Sequence, residues 1–182
     1  MDNGNLISIL IIDDDSSDIK TLSYILGSSY TVYTEKEGKK AVETAERLIP
    51  DMILLDIIMP EMDGYEVFME LKRSSKTKDI PIIFISGLSS VAAEKKGLEM
   101  GAVDYISKPF SPEVVKLRVL NQIKILKAGV MEKILNKEIN ISKEITEALL
   151  QNKNLSKDIT EGLEKINESC NLIMSHINDS KW

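Results

Sequence analysis

Residues 6–15 read LISILIIDDD, an almost unbroken apolar run that ends in three consecutive aspartates. Runs of this kind are typical of strands that are buried on both faces of a parallel sheet. The aspartates pose an electrostatic problem, because two carboxylates about 4 Å apart repel by roughly 4 kcal/mol at an effective dielectric constant of 20. Such a cluster indicates a compensating cation, a protonated member or full solvation.

Short β-branched runs alternate with amphipathic stretches from this first run to Pro109. Strands are predicted at residues 6–12, 31–33, 52–55, 80–86 and 103–107. Helices are predicted to begin beside serine, aspartate or glycine start signals, at Ser16, Gly38, Gly64 and Ser90. This alternation favours an α/β fold in which helices cover both faces of a parallel sheet.

Four of the predicted strands end in residues that suit ligand binding. Asp13 and Asp14 follow the first strand, Asp56 ends the third, Ser86 ends the fourth, and Lys108 follows the fifth. In an open parallel sheet, ligands bind beyond the carboxyl ends of the strands. Three carboxylates against one ammonium leave two negative charges, so a divalent cation would answer the electrostatic problem. The all-oxygen donor set favours Mg²⁺.

The order and spacing of these residues resemble the receiver domain of two-component response regulators over residues 5–127. Three neighbouring motifs carry the same resemblance, namely Met59-Pro60, Asp63-Gly64 and Lys108-Pro109-Phe110. The resemblance implies a flavodoxin-like (βα)5 fold whose five parallel strands lie in the order 2-1-3-4-5. It also implies a cis bond between Lys108 and Pro109.

The resemblance further assigns a role to each candidate residue. Asp56 would accept a phosphoryl group from a histidine kinase or a phosphotransfer protein. Mg²⁺ would be held by Asp14, Asp56 and the backbone carbonyl of Ile58, and Asp13 would act through a metal-bound water. The protein would assist its own phosphorylation and dephosphorylation, and no separate enzyme activity is expected.

Three further side chains would respond to the phosphoryl group, two by direct contact and one by a change of position. Lys108 would pair with one phosphoryl oxygen, and the Ser86 hydroxyl would bond another. Tyr105 resembles the family's switch aromatic, whose ring would fill space vacated by Ser86 and so alter the surface of the fourth helix, fifth strand and fifth helix. A half-buried tyrosine is equally consistent with ordinary packing.

Each of these residues could instead serve a local structural role. Aspartates before a helix commonly cap it, and we expect Asp15 and Asp18 to do so. Asp63-Gly64 is a general turn signal, and Ser86-Gly87 is a common strand exit. Their coincidence at four strand ends favours the functional interpretation.

Composition restricts the class of protein. A chain of 182 residues with 43% hydrophobic residues suits one globular domain with an appendage. A net charge of −6 and a pI near 5.0 argue against direct contact with nucleic acid. The single cysteine, Cys170, cannot form an internal disulfide, and no apolar run approaches the roughly 20 residues of a membrane helix. No signal-peptide pattern opens the chain, so a cytoplasmic location is expected.

The C-terminal part of the chain is predicted to be helical. Residues 141–149 (ISKEITEAL) recur as residues 155–163 (LSKDITEGL), a displacement of two heptads. The repeat predicts that residues 128–182 extend a long helix and pair two chains in a parallel coiled coil. Asn152 would set the register of that pairing. Residues 1–127 would form the receiver domain.

A helical hairpin folded against its own domain is the alternative. Gly129 and Gly162 each cost a helix about 1 kcal/mol and could mark breaks. His176 faintly resembles a phosphoacceptor histidine, but the residues that should follow it are missing, so a surface histidine is expected.

The sequence is compatible with two ways of passing the signal on. The chain could be part of a longer regulator, or a stand-alone adaptor whose helical tail binds a protein partner. A Mg²⁺-dependent aspartyl phosphatase of the haloacid dehalogenase type would need a second acid two residues after its nucleophile, where this chain has Ile58. A degenerate receiver used only for dimerisation would lack a pocket residue, and none is missing.

Overall fold

The computed structural model describes residues 7–87, 91–150 and 156–179. The chain divides into two compact units, one within residues 1–122 and the other within residues 123–182. The first unit contains the whole β-sheet, and the second is helical. A domain boundary at residue 127 stays a prediction.

The first unit is built on a five-stranded parallel sheet of order β2-β1-β3-β4-β5. Its strands are β1 (Ser8–Ile12), β2 (Thr31–Glu35), β3 (Met52–Asp56), β4 (Ile82–Ser86) and β5 (Asp104–Ser107). The chain adds strands first on one side of β1 and then on the other, which places the point of reversal between β1 and β3. The predicted α/β class, strand order and flavodoxin-like architecture are confirmed.

The central strands are buried on both faces. Every residue of β3 and β4 is buried, as are the last four residues of β1. Edge strand β2 is only partly buried. The unbroken apolar runs in the sequence therefore have a direct physical cause, because helices cover both faces of the central strands.

Six helices complete the described chain. They are α1 (Ser16–Leu26), α2 (Gly38–Leu48), α3 (Gly64–Arg73), α4 (Val91–Glu99), α5 (Pro112–Leu150) and α6 (Lys157–Asp179). The start predicted at Ser90 lies outside the described residues. No helix among residues 7–87, 91–150 and 156–179 combines the length and apolarity needed to cross a membrane.

Two helix starts bring backbone close to the strand ends. Asp15 caps α1, where its side chain accepts a hydrogen bond from Ser17 N at 2.7 Å. Asp63 caps α3 in a capping box with Glu66. A Cβ atom at Gly64 would lie 2.1 Å from the carbonyl oxygen of Asp56. Glycine at this position thus allows α3 to begin directly against the end of β3.

The second unit contains the rest of α5 and all of α6. The predicted long C-terminal helix is confirmed, since α5 spans 39 residues. A second helix, α6, packs antiparallel to α5, because Ser142 contacts Cys170 while Leu149 shares a groove with Leu163. The described chain therefore contains a hairpin and not one continuous rod. Asn152, the predicted register-setting residue, lies outside the described residues, and parallel pairing of chains stays a prediction.

Candidate functional site

The carboxyl ends of β1 and β3 bring three carboxylates together. Asp13, Asp14 and Asp56 each offer an oxygen, and these oxygens lie within 4.8 Å of one another. Asp13 and Asp56 are only 1% and 3% exposed, whereas Asp14 is exposed to solvent. Ile58 lies two residues beyond Asp56, in the loop before α3, with an exposed side chain. The acidic residues singled out in the sequence thus form one cluster at the point of strand reversal.

A single ammonium group lies among these carboxylates. Lys108 Nζ is 2.9 Å from Asp13 Oδ2 and 2.9 Å from Asp56 Oδ1. The same atom is 2.7 Å from Asp18 Oδ2, on the first turn of α1. The peptide bond between Lys108 and Pro109 is cis, as the resemblance implied.

Asp18 was missed as a site residue. We expected it to share the capping role of Asp15, and only Asp15 makes the capping hydrogen bond. Its position in the first turn of α1 directs its carboxylate toward the strand ends and into an ion pair with Lys108. The signal in the sequence was the fourth acid of the run from Asp13 to Asp18, which exceeds what one cap requires.

Burial and charge shift the pKa values of this cluster. Burial raises the pKa of Asp56 to about 6, although Lys108 opposes the shift. Burial also raises the pKa of Asp13, against a hydrogen bond from Lys108. Burial lowers the pKa of Lys108, but its hydrogen bonds to Asp13, Asp18 and Asp56 outweigh that effect and raise it above its usual value. The pocket therefore holds a stable cation but too little positive charge for its acids.

The cluster suits a hard divalent cation. Asp56 Oδ1 is buried, and Lys108 Nζ, 2.9 Å away, is shared between this oxygen, Asp13 and Asp18. One shared ammonium offsets only part of the free-energy cost of burying these carboxylates. Four carboxylates against one ammonium leave a negative excess, and Mg²⁺ prefers oxygen ligands. Asp13, Asp14 and Asp56 thus fit such an ion in charge and chemistry.

Ser86, the last residue of β4, and Tyr105, the second residue of β5, lie on paired strands. Ser86 is fully buried, and Tyr105 is 4% exposed. The two side chains form a hydrogen bond, and burial raises the pKa of the Tyr105 phenol. Gly97 of α4 lies against the tyrosine ring, since a Cβ atom there would be 3.5 Å from Tyr105 Cδ2. The Ser86 hydroxyl, which is predicted to contact a phosphoryl group, is therefore hydrogen-bonded to Tyr105, the predicted switch residue.

A family model described as the response regulator receiver domain matches residues 9–120. The chain belongs to the response regulator receiver family. Receiver domains accept phosphoryl groups from histidine kinases and bind Mg²⁺ at an acidic pocket.

Two relatives show how receiver domains combine with other parts. The chain is 41% identical over 119 residues to a probable cyclic di-GMP phosphodiesterase of Vibrio cholerae, covering 65% of this chain and 27% of that protein. It is 39% identical over 112 residues to the alkaline phosphatase synthesis transcriptional regulatory protein PhoP of Bacillus subtilis, covering 61% of this chain and 46% of that protein. The chain thus spans between about a quarter and a half of the length of these relatives.

A solved receiver structure gives a similar fold. The receiver domain of a sensor histidine kinase from Pseudomonas aeruginosa PAO1, with a magnesium ion coordinated in its active-site cleft, superposes with a TM-score of 0.57. The two chains are 29% identical, and the match covers 63% of this chain and 94% of that one. The match extends over about the length of a receiver domain.

Proposed function

We propose that this receiver accepts a phosphoryl group on Asp56 from a histidine kinase or a phosphotransfer protein, in a reaction that requires Mg²⁺. The observation that carries the proposal is the position of Lys108 Nζ, 2.9 Å from both Asp13 and Asp56. A cation held between these carboxylates is already beside the oxygen to which the phosphoryl group would be attached.

In the proposed reaction, a carboxylate oxygen of Asp56 attacks the phosphorus of phosphohistidine. The bond between that oxygen and phosphorus forms as the bond between phosphorus and the imidazole nitrogen breaks, and the imidazole leaves with the electron pair. Charge is spread over the peripheral phosphoryl oxygens in this loose transition state, so the protein acts mainly by positioning and charge stabilisation.

The chain's own residues would supply most of that stabilisation. Lys108 would turn from Asp18 and Asp13 toward one phosphoryl oxygen, and the Ser86 hydroxyl would donate to another. Bound Mg²⁺, held by Asp13, Asp14, Asp56 and the Ile58 carbonyl, would neutralise charge on the phosphoryl group. Asp56 would be mostly ionised near neutral pH, because its pKa is about 6.

Phosphorylation would become a surface change through Ser86 and Tyr105. In the structure these two side chains form a hydrogen bond with each other. When the Ser86 hydroxyl turns to the phosphoryl group, Tyr105 loses that hydrogen-bond partner. The Tyr105 side chain has two possible packing positions against α4, and their relative populations would then change. Helix α5 begins beside this region at Pro112 and extends to Leu150. It is the covalent route by which we propose that the signal reaches the helical segment.

Intact-mass measurement tests the site directly. Incubation of the full chain with acetyl phosphate and Mg²⁺ should add one phosphoryl group, and Asp56→Asn should remove the added mass. Glu43→Gln, which alters an exposed carboxylate on α2, is the matched control and should be phosphorylated as the parent chain is. An unchanged mass increase in Asp56→Asn would show that another residue is the acceptor.

A further inference from the structure

We propose that the α5–α6 hairpin is a dimerisation surface, on which the hairpin of a second copy of this chain packs to close a four-helix bundle. This inference concerns residues 123–179 alone, and it does not depend on the proposed phosphorylation of Asp56. It also differs from the parallel coiled coil predicted from the sequence, because each chain would contribute two antiparallel helices.

The proposal starts from an apolar groove along the hairpin, which we call the hairpin groove. Its apolar lining comes from Ile141, Ile145 and Leu149 of α5 and from Leu163 and Ile166 of α6. The groove has a volume of about 380 Å³. Ile141, Ile145 and Ile166 are 45%, 55% and 46% exposed, so the two helices bury only part of their apolar faces against each other.

The hairpin has too small a core to be stable alone. Among the described residues of the second unit, only Ile123, Ile139, Thr146 and Cys170 are buried, and one of these is polar. Isolated amphipathic helices are marginal in water, and small helical units usually need a partner to bury their apolar faces. The exposed side of the hairpin groove is where that partner would bind.

The exposed apolar stripe is long enough for a stable dimer. Ile134, Ile159 and Ile173, each seven residues from a lining residue of the groove, continue it and are 48%, 51% and 44% exposed. With Leu149, which is 43% exposed, the groove and its continuation present seven half-exposed side chains, which offer on the order of 400 Å² of apolar surface per copy. The apolar part of a homodimer interface, about 65% of about 800 Å² per partner, is of the same order.

The charge of the segment favours a second copy as the occupant. Residues 123–182 contain nine lysines and nine acidic residues, so their formal net charge is zero, and the whole net charge of −6 lies in residues 1–122. Two hairpins therefore approach without net repulsion, whereas two receiver units repel each other. A strongly charged partner would gain no steering from this surface. The two-fold contact would be self-complementary, since each copy presents the same groove.

Sedimentation equilibrium of the full chain tests the proposal. The 20.4 kDa chain should sediment at twice its mass at tens of micromolar protein, with or without phosphodonor. Ile145→Glu places a charge in the hairpin groove and should weaken the dimer at least tenfold. Leu172→Glu is the matched control. Leu172 is 61% exposed and lies two residues from Cys170, hence on the opposite side of α6, so this variant should dimerise as the parent does.

A second variant fixes the hairpin itself. The Ser142 hydroxyl lies 3.8 Å from the Cys170 sulfur, so Ser142→Cys should form a disulfide within one chain on mild oxidation. In a continuous helix these positions would be roughly 42 Å apart, and no such bond could form. The oxidised variant should still dimerise. A monomeric parent chain, an undiminished dimer in Ile145→Glu, or loss of the dimer on formation of the intrachain disulfide would each overturn the proposal.

Discussion

Replacing Asp56 by asparagine should make the metal-free protein more stable. The substitution removes a charge from a carboxylate that is 3% exposed and lies within 4.8 Å of the carboxylates of Asp13 and Asp14. Lys108 keeps Asp13 and Asp18 as partners in the variant, because its ion pairs with them do not involve Asp56.

The size of the effect follows from the raised pKa. The pKa of Asp56 rises from 3.8 to about 6 in the folded state. Each pKa unit corresponds to about 1.4 kcal/mol, so the ionised side chain lowers the free energy of unfolding by about 3 kcal/mol at pH 7.5. The folded state binds the proton more tightly, so stability falls as pH rises from 3.8 through 6. At pH 4.5 the cost is reduced to about 1 kcal/mol, since the folded protein is then largely protonated at this site.

The assay is urea unfolding in EDTA at pH 7.5 and pH 4.5. Hydrogen exchange of peptides from β3 and β4 assigns the transition to the receiver unit. Asp56→Asn should exceed the parent by about 3 kcal/mol at the higher pH and by about 1 kcal/mol at the lower. Glu43→Gln should stay within about 0.5 kcal/mol of the parent at both. A variant no more stable than the parent at pH 7.5, or a gain that does not shrink at pH 4.5, would refute the charge argument.

Four further outcomes follow from the geometry of the pocket and the fold. Lys108→Ala leaves the acidic cluster more negative, so calorimetry should find Mg²⁺ binding at least as tight as in the parent chain. Phosphorylation by acetyl phosphate should become slower. A large loss of Mg²⁺ affinity would contradict the charge argument. Asp18→Asn frees Lys108 from a partly exposed ion pair worth up to about 1 kcal/mol, so the initial phosphorylation rate should rise by up to about fivefold. An unchanged or slower rate would show that Asp18 does not compete with the phosphoryl group for Lys108. Gly64→Ala should destabilise the receiver, because the new Cβ atom would lie 2.1 Å from a backbone oxygen. Gly129→Ala meets nothing within 4 Å and should stabilise α5 by about 1 kcal/mol.

The sheet and most of the site could be predicted from local patterns. Strands buried on both faces leave unbroken apolar runs, and parallel strands place their carboxyl ends along one edge. Asp13, Asp14, Asp56 and Lys108 could therefore be grouped from the sequence alone. Their grouping depends on strand order alone, which alternation of strands and helices strongly constrains.

The features that were missed depend on side-chain direction or on long-range packing. Asp18 carries the same capping signal as Asp15, and only the orientation of α1 directs its carboxylate to Lys108. The hydrogen bond between the Ser86 and Tyr105 side chains links β4 to β5. These two residues are not paired with each other in the sheet, because Tyr105 is paired with Phe84 and Ser86 with Ser107. The heptad repeat predicts which faces of the C-terminal helices are apolar. It does not decide whether those faces meet within one chain or between chains.

The acidic pocket and the apolar strands that hold it have opposite effects on the stability of the receiver unit. Burial of Asp56 costs stability because its carboxylate is desolvated and because Asp13 and Asp14 lie close by. The strands that hold these residues, β1 and β3, are buried at every position but the first of β1, and their burial offsets that cost. The negative excess that remains would favour a divalent cation at this site. A pocket fully neutralised by its own lysines would be more stable, but it would have no unmet charge with which to bind Mg²⁺.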